Sequence, residues 1–532
     1  NEGKMVLKRV CCLLLCVIMC FSASACGKKE DTPENKLFYC YISSDPVSLD
    51  PQVATDGAAQ MVLESLFEGL VRLNGDGLAE PGVAERWESG EDSTVFTFYL
   101  RKDAKWSDGT PVTADDFVFG MQRTVDPQTK SSSASQLFCI RNAQEINAGE
   151  LPKEQLGVES VDRYTLRIML AYSYDDFPSQ TARSAFFPCS RSFFAASAGR
   201  YGMEDVQVLG NGAFSLRKKS GWVHGSYLRL VRNEFYAGEH AAVPSGVLFT
   251  VKTVADPLAA MEEHKADVIA IGEEDVQQAE ADGLAVQSFT NTTWGLCFNT
   301  TDALFSDVSA RRALVLSLSR DSLYAAVPKN CIRADNIIPP ETSYMGKTYR
   351  SAAGSCTLPQ TDLSAAKQQL SQAIANLGIQ KLPAVTVLCL NDEETKIAVN
   401  AMLGEWRSAL GYYFNLEPVS RETLEKRVAA GSYQLALVPV QTGEDGPRSF
   451  LSAVCGLAQY SSDAYDALVS RLYSDTVAAA KEAETLLLDE AVFYPMYYQS
   501  RYYAVANTIT GLVIHPFGGT VDFNGAGKLD PS

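Results

Sequence analysis

Histidine is scarce in this chain: four residues in 532, at positions 224, 240, 264 and 515. None belongs to an H-E-x-x-H or any other metal-ligand spacing, so neither a zinc site nor a histidine-dependent active site is expected. G-x-S-x-G elbows and phosphate-cradling P-loops are missing too, which leaves a secreted enzyme without a motif to stand on. No cofactor is implied. Positive charge is short, with 46 Lys and Arg against 64 Asp and Glu and a formal net charge of -18. That field repels phosphate backbones, and nucleic acid is not an expected partner. Long apolar runs are lacking as well. The stretch from Val10 to Phe21 falls short of the roughly 20 residues that span a bilayer core.

What that stretch does have is context. Lys4, Lys8 and Arg9 precede it and small residues follow, ending at Cys26, which is the order of a secretion signal: basic region, apolar region, small-residue cleavage site. Met5 reads as the translation start. Ala23-Ser24-Ala25-Cys26 resembles a bacterial lipobox, with alanine where leucine is usual, in which the cysteine becomes an acylated N-terminus. Residues 27–36 are a charged tether that cannot bury a core. Cys26 is therefore expected to be a lipid anchor on the extracytoplasmic face of a membrane.

The remainder has the balance of a globular protein, with 46% hydrophobic and 21% charged residues. Of thirteen cysteines, four lie in the signal and one is the anchor. The other eight, at 40, 139, 189, 297, 331, 356, 389 and 455, form no C-x-x-C pair and read as buried thiols, with Cys331 and Cys356 the first pair to test for a bridge. VFTFYLR (95–101) alternates as a half-buried strand, DGTP (108–111) is a turn, and Thr113 caps a helix with acids in its first turn. Ala310, Ala313, Leu314 and Leu318, and likewise Ala483, Leu486, Leu487 and Ala491, recur at helical spacing. LPAVTVLCL (382–390) and YQLALVPV (433–440) suit strands buried in an α/β sheet. Trp87, Phe96, Phe98, Tyr99 and Trp106 are expected to form a local core. The class is α/β.

LRKDAKWSDGTPVTADDFVFGMQRTVDP (100–127) closely resembles the core signature of the solute-binding proteins of peptide-type ABC importers, the oligopeptide-binding proteins above all. DPVSLDP (45–51), LFEGLV (66–71), GNGAFSLRK with LRLVRNEFY (210–236), FNTTDALFSDVSARRAL (298–314), SFL (449–451) and LLLDEAVFYPMYY (486–498) are similar to that family's landmarks, in its order. The resemblance implies a two-lobed, periplasmic-binding-protein-like clamshell with an extra domain inserted in the first lobe. By resemblance, lobe I comprises 37–75, 188–290 and 500–532, the inserted domain 76–187, and lobe II 291–499. The crossings fall near 293–299 and 494–505. Such a protein captures an extended peptide between the lobes and presents it to permease subunits served by cytoplasmic ATPases, acting as a monomer.

The implied binding residues depart from the family pattern. Gly443 stands where oligopeptide binders carry an aspartate for the ligand's α-ammonium. Glu444 and Asp445 either supply that carboxylate or are solvated acids in the loop from Thr442 to Pro447. Val440 and Gln441 replace a tryptophan and a cysteine, Thr55 stands where an acid is familiar, and Gln499 where a tyrosine is. Trp294 is placed near the cleft, to pack on ligand or as core, and strand alternation lets one of Tyr497 and Tyr498 face the cleft, with Tyr498 the choice. Frame kept and lining changed, the ligand is expected to be a peptide, with a signalling peptide or non-peptide solute as the alternative.

Overall fold

The computed structural model describes residues 37–529, apart from 328–330, 345–346, 443–445 and 473–475. The anchor candidate Cys26 and the loop residues Gly443, Glu444 and Asp445 lie outside the described residues.

Alternation builds the first strand: in Leu37–Ile42 the side chains of Phe38, Cys40 and Ile42 are buried while their neighbours are half-exposed. It pairs in parallel with Gly246–Val251 and with Val268–Ile271. The strands Tyr227–Arg232 and Phe214–Leu216 extend this side of the sheet in antiparallel fashion. On the other side, Thr386–Leu390 lies parallel to both Asn415–Val419 and Leu435–Val440. Thr386–Leu390 and Leu435–Val440 are the two apolar runs read as buried strands, and only Thr386 and Pro439 are not fully buried.

Two long strands join the sides. Ala285–Phe298 has 14 residues and Phe493–Val505 has 13, and they pair antiparallel along nearly their whole length. At about 3.3 Å per residue each spans over 40 Å, enough to run from one lobe into the other. The register shifts between Thr290 and Thr292 and again between Trp294 and Gly295. Bulges bend and twist a strand pair locally, so the two halves meet at an angle there. The result is one 12-stranded mixed sheet with two large cores, one containing Leu296, Leu437 and Phe493 and the other Phe38, Phe214 and Phe249.

A separate four-stranded antiparallel sheet is built from Ala84–Ser89, Val95–Leu100, Thr165–Met169 and Val158–Asp162. Phe96, Phe98 and Trp106 are buried and merge with the core around Phe38. The other two expected aromatics differ. Trp87 joins that core from its edge, partly buried with its ring centroid 6.4 Å from that of Phe98, whereas Tyr99 lies on the opposite face of its strand, where the guanidinium of Arg86 sits 3.5 Å from its ring centroid. The helix Ala114–Val125 starts as its sequence predicts, with the Thr113 N–H donating to Asp116 Oδ2 at 2.8 Å. The helix Val308–Leu316 buries Ala310, Ala313 and Leu314 but ends before Leu318, which is buried beyond it. Leu486 is half-buried, and Leu488 takes an inward place that the stripe did not assign. The eight cysteines outside the first 36 residues are all free, Cys331 and Cys356 included.

Candidate functional site

The site grows from the helix Gly57–Leu66. Asp56 caps it, accepting from the Ala59 N–H at 2.8 Å, and thereby fixes which face turns inward. Ala59, Val62 and Leu66 enter the core. Gln60 and Glu64 turn the other way and line a cavity of about 760 Å³. Thr55, just before the helix, lines it too, as do Ser343, Lys347 and Thr348 and the loop from His515 to Gly518. Its volume falls within the usual range of ligand pockets, about 300–1,000 Å³.

The wall beneath Gln60 and Glu64 is wired by charge. Glu68 is buried, and its two oxygens accept from Arg101 at 2.8 Å and from the Tyr236 hydroxyl at 2.5 Å. Arg72, 3.9 Å from Glu68, is held mainly by Asp522. Burial lowers the proton affinity of Arg72, but Asp522 and Glu68 more than offset it and keep the guanidinium charged. Glu64 differs from Glu68. Burial raises its carboxyl above the ordinary value, His515 opposes that rise, and the His515 Nε2 is 3.8 Å away.

The crossing strands carry most of the residues singled out from the sequence. Gln441 follows the strand Leu435–Val440 and donates to Thr292 Oγ1 at 2.8 Å, while its Oε1 accepts from Arg501 at 3.1 Å. On the other side of Ala285–Phe298, Gln499 lies opposite Thr292 and accepts from the Trp294 indole N–H at 2.7 Å. Trp294 is 5% exposed and stacked on Tyr497, with ring centroids 5.8 Å apart. Tyr498 is buried, its hydroxyl donating to the Asn336 carbonyl at 3.2 Å. Thr442 is half-buried just past the strand end. The structure thus groups Gln441, Trp294 and Gln499 around the bulged crossing, turns Tyr498 toward Asn336, and puts Thr55 apart from them on the cavity wall. Among the described residues no cluster of three His, Cys, Asp or Glu is arranged to hold a metal.

Sequence reasoning passed over Gln60, Glu64, Arg72, Lys347 and His515. Their contributions to the cavity come from segments more than 400 residues apart in the chain, as Glu64 and His515 show, and no local spacing ties them together. The rarity of histidine was the one signal available for His515.

A model described as bacterial extracellular solute-binding proteins, family 5 Middle, matches residues 79–462. The dipeptide-binding protein DppE of Bacillus subtilis is 26% identical over 512 residues, covering 92% of each chain. The probable deoxycholate-binding periplasmic protein YgiS of Escherichia coli is 28% identical over 493 residues, covering 89% of this chain and 90% of the relative. The solved structure of the Escherichia coli murein tripeptide binding protein MppA superposes with a TM-score of 0.73 at 27% identity, covering 94% of this chain and 99% of that one.

Proposed function

The chain belongs to family 5 of the bacterial extracellular solute-binding proteins, and from that premise we propose that it captures oligopeptides between its lobes and delivers them to an ABC import permease. Lipid on Cys26 holds it at the outer face of the membrane, where a tethered receptor meets its permease at high local concentration. Lobe I, the inserted domain and lobe II have the boundaries expected above, and the crossings act as the hinge.

The observation that carries this reading is the cavity, lined by Gln60 and Glu64 of the Gly57–Leu66 helix and by Ser343, Lys347 and Thr348 from the expected second lobe. A ligand held there touches both sets and favours closure by the difference in its affinity for the closed and open forms. Relatives named for dipeptide and murein tripeptide binding support peptides as the solute class. The relative named for deoxycholate supports a second reading, the same scaffold serving a non-peptide solute, and Gly443 in place of an aspartate agrees with it.

Thermal unfolding against a library of peptides of two to ten residues tests the choice. A bound ligand raises stability by RT ln(1 + [L]/Kd), about 2.7 kcal/mol at a hundredfold excess over Kd. Upward shifts with peptides, and a peptide ladder in the mass spectrum of what co-purifies, are the expected outcome. A shift with deoxycholate or another solute and none with any peptide overturns the peptide reading.

A further inference from the structure

Four carboxylates line the cavity: Asp76 and Glu341 are exposed to solvent, Glu68 is buried and Glu64 is half-buried. Glu68 is filled by Arg101 and Tyr236, and Asp522 is paired with Arg72 and accepts from the Asn524 N–H at 2.8 Å. Glu64, on the last turn of the Gly57–Leu66 helix, lines the cavity with a third of its side chain accessible. Its oxygens accept no hydrogen bond from any described group. The nearest basic side chain is His515, whose Nε2 stands at 3.8 Å, beyond hydrogen-bond reach. A half-buried carboxylate with no protein donor is costlier to keep ionised than a free one and is stabilised by a cation that arrives.

The other side chains of the wall leave that role open. Arg72 reaches Asp522 and Glu68. Gln60, the other polar residue on this face of the helix, turns its amide donor to the Ala54 carbonyl at 2.7 Å. Across the cavity stand Glu341 and Lys347.

We infer that Glu64 is a specificity-determining residue of the cleft, its carboxylate receiving a cationic nitrogen of the bound peptide. The nitrogen is the peptide's α-ammonium or the ammonium of a lysine side chain, and the chemistry at Glu64 is the same: a charge-assisted N–H···O bond made when the lobes close. Pairing there also gives a donor to a half-buried carboxylate that has none among the described residues. The inference rests on peptide capture in the cleft.

The test compares the full chain with its Glu64→Gln and Glu64→Asp variants by calorimetric titration. The probes are the tripeptide Ala-Lys-Ala, the same peptide with norleucine for lysine, and the N-acetylated form of each. Gln keeps the shape and removes the charge, and unliganded thermal unfolding verifies that each variant is folded. In the wild type, the cationic probe is expected to bind better than its neutral counterpart. In Glu64→Gln that preference is expected to shrink about tenfold or more, with the neutral probes little changed, and Glu64→Asp is expected to restore part of it. Loss of the lysine-over-norleucine preference assigns Glu64 to the side-chain ammonium, and loss of the free-over-acetylated preference assigns it to the α-ammonium. Glu64→Gln binding all four probes with wild-type preferences overturns the inference while leaving peptide capture intact. A wild-type protein that binds none of the four overturns the peptide reading, and the inference with it.

Discussion

Phe517 lies edge-on to Phe450, with ring centroids 5.7 Å apart and planes at 75°. Both rings sit in the core around Leu296; Phe450 is on the helix Pro447–Ala458, and Phe517 belongs to the chain's final segment, whose Ile514 and Phe523 enter the other core. The pair therefore connects the two sides of the crossing strands. Phe517→Ala removes that contact, and a closed form that depends on it is less populated, so apparent affinity is expected to fall in proportion to the closed fraction. We expect ligand Kd to rise about tenfold and the unliganded radius of gyration to increase in small-angle scattering. A lowered melting temperature with unchanged Kd and radius would show that the contact is permanent packing.

Asp50 and Arg123 join two of the sequence landmarks. The guanidinium reaches both Asp50 oxygens, at 2.6 and 3.1 Å, donates to Gln52 at 2.6 Å, and lies 4.0 Å from the Phe194 ring centroid. Both partners are buried. Breaking such a pair leaves a charge without compensation, so Arg123→Met is expected to cost about 3–5 kcal/mol in urea unfolding. A loss below about 1 kcal/mol, typical of exposed pairs, would mean that water reaches the site.

Burial raises the thiols of Cys40, Cys139, Cys189, Cys297, Cys331 and Cys455 to about 12, and those of Cys356 and Cys389 to about 11. The thiolate is the reactive form, so at pH 8 the folded protein is expected to resist iodoacetamide and to label fully only in denaturant. Mass spectrometry counts the modified cysteines. Rapid labelling of several in the native protein would contradict the burial described.

Where Glu64 takes a lysine side chain, closing the cleft over a free α-ammonium requires a second carboxylate in reach. Replacing Glu444 and Asp445 by Gln and Asn is expected to weaken binding of free peptides by about 2–5 kcal/mol, with N-acetylated peptides much less affected. Small and equal losses for both kinds would make the 442–447 loop a solvated turn.

Cys26→Ala removes the acylation site. The variant is expected in the medium or periplasm, or as an unprocessed precursor, when membranes are fractionated. Membrane-bound and correctly cleaved protein would exclude lipid anchoring through Cys26, since stable attachment takes more than one weak signal.

The local pattern of the sequence determined the elements: Phe96, Phe98 and Leu100 alternate inward as read, and the helix after Thr113 begins where its acids allow. The landmarks determined the family, and the structure explains why they suffice. They are the joints of the frame. Asn211 of the G-N-G stretch bonds both the N–H and the carbonyl of Glu68 in L-F-E-G, at 3.1 and 2.9 Å. A Cβ on Gly210 would lie 2.1 Å from the Leu66 carbonyl oxygen, so only glycine lets the two landmarks meet. Arg311 of A-R-R-A-L bonds the Glu490 carbonyl of L-D-E-A at 2.9 Å. Contacts between motifs constrain residue type at fixed places, and that is legible in a single chain. The cavity is another matter. Glu64 faces it because the Asp56 cap sets the helix's rotation, His515 because the final segment returns across the sheet, and Lys347 because the long strands carry the second core over to meet them. None of these depends on a neighbour in sequence, so which side chains share the cleft was decided by the tertiary structure alone.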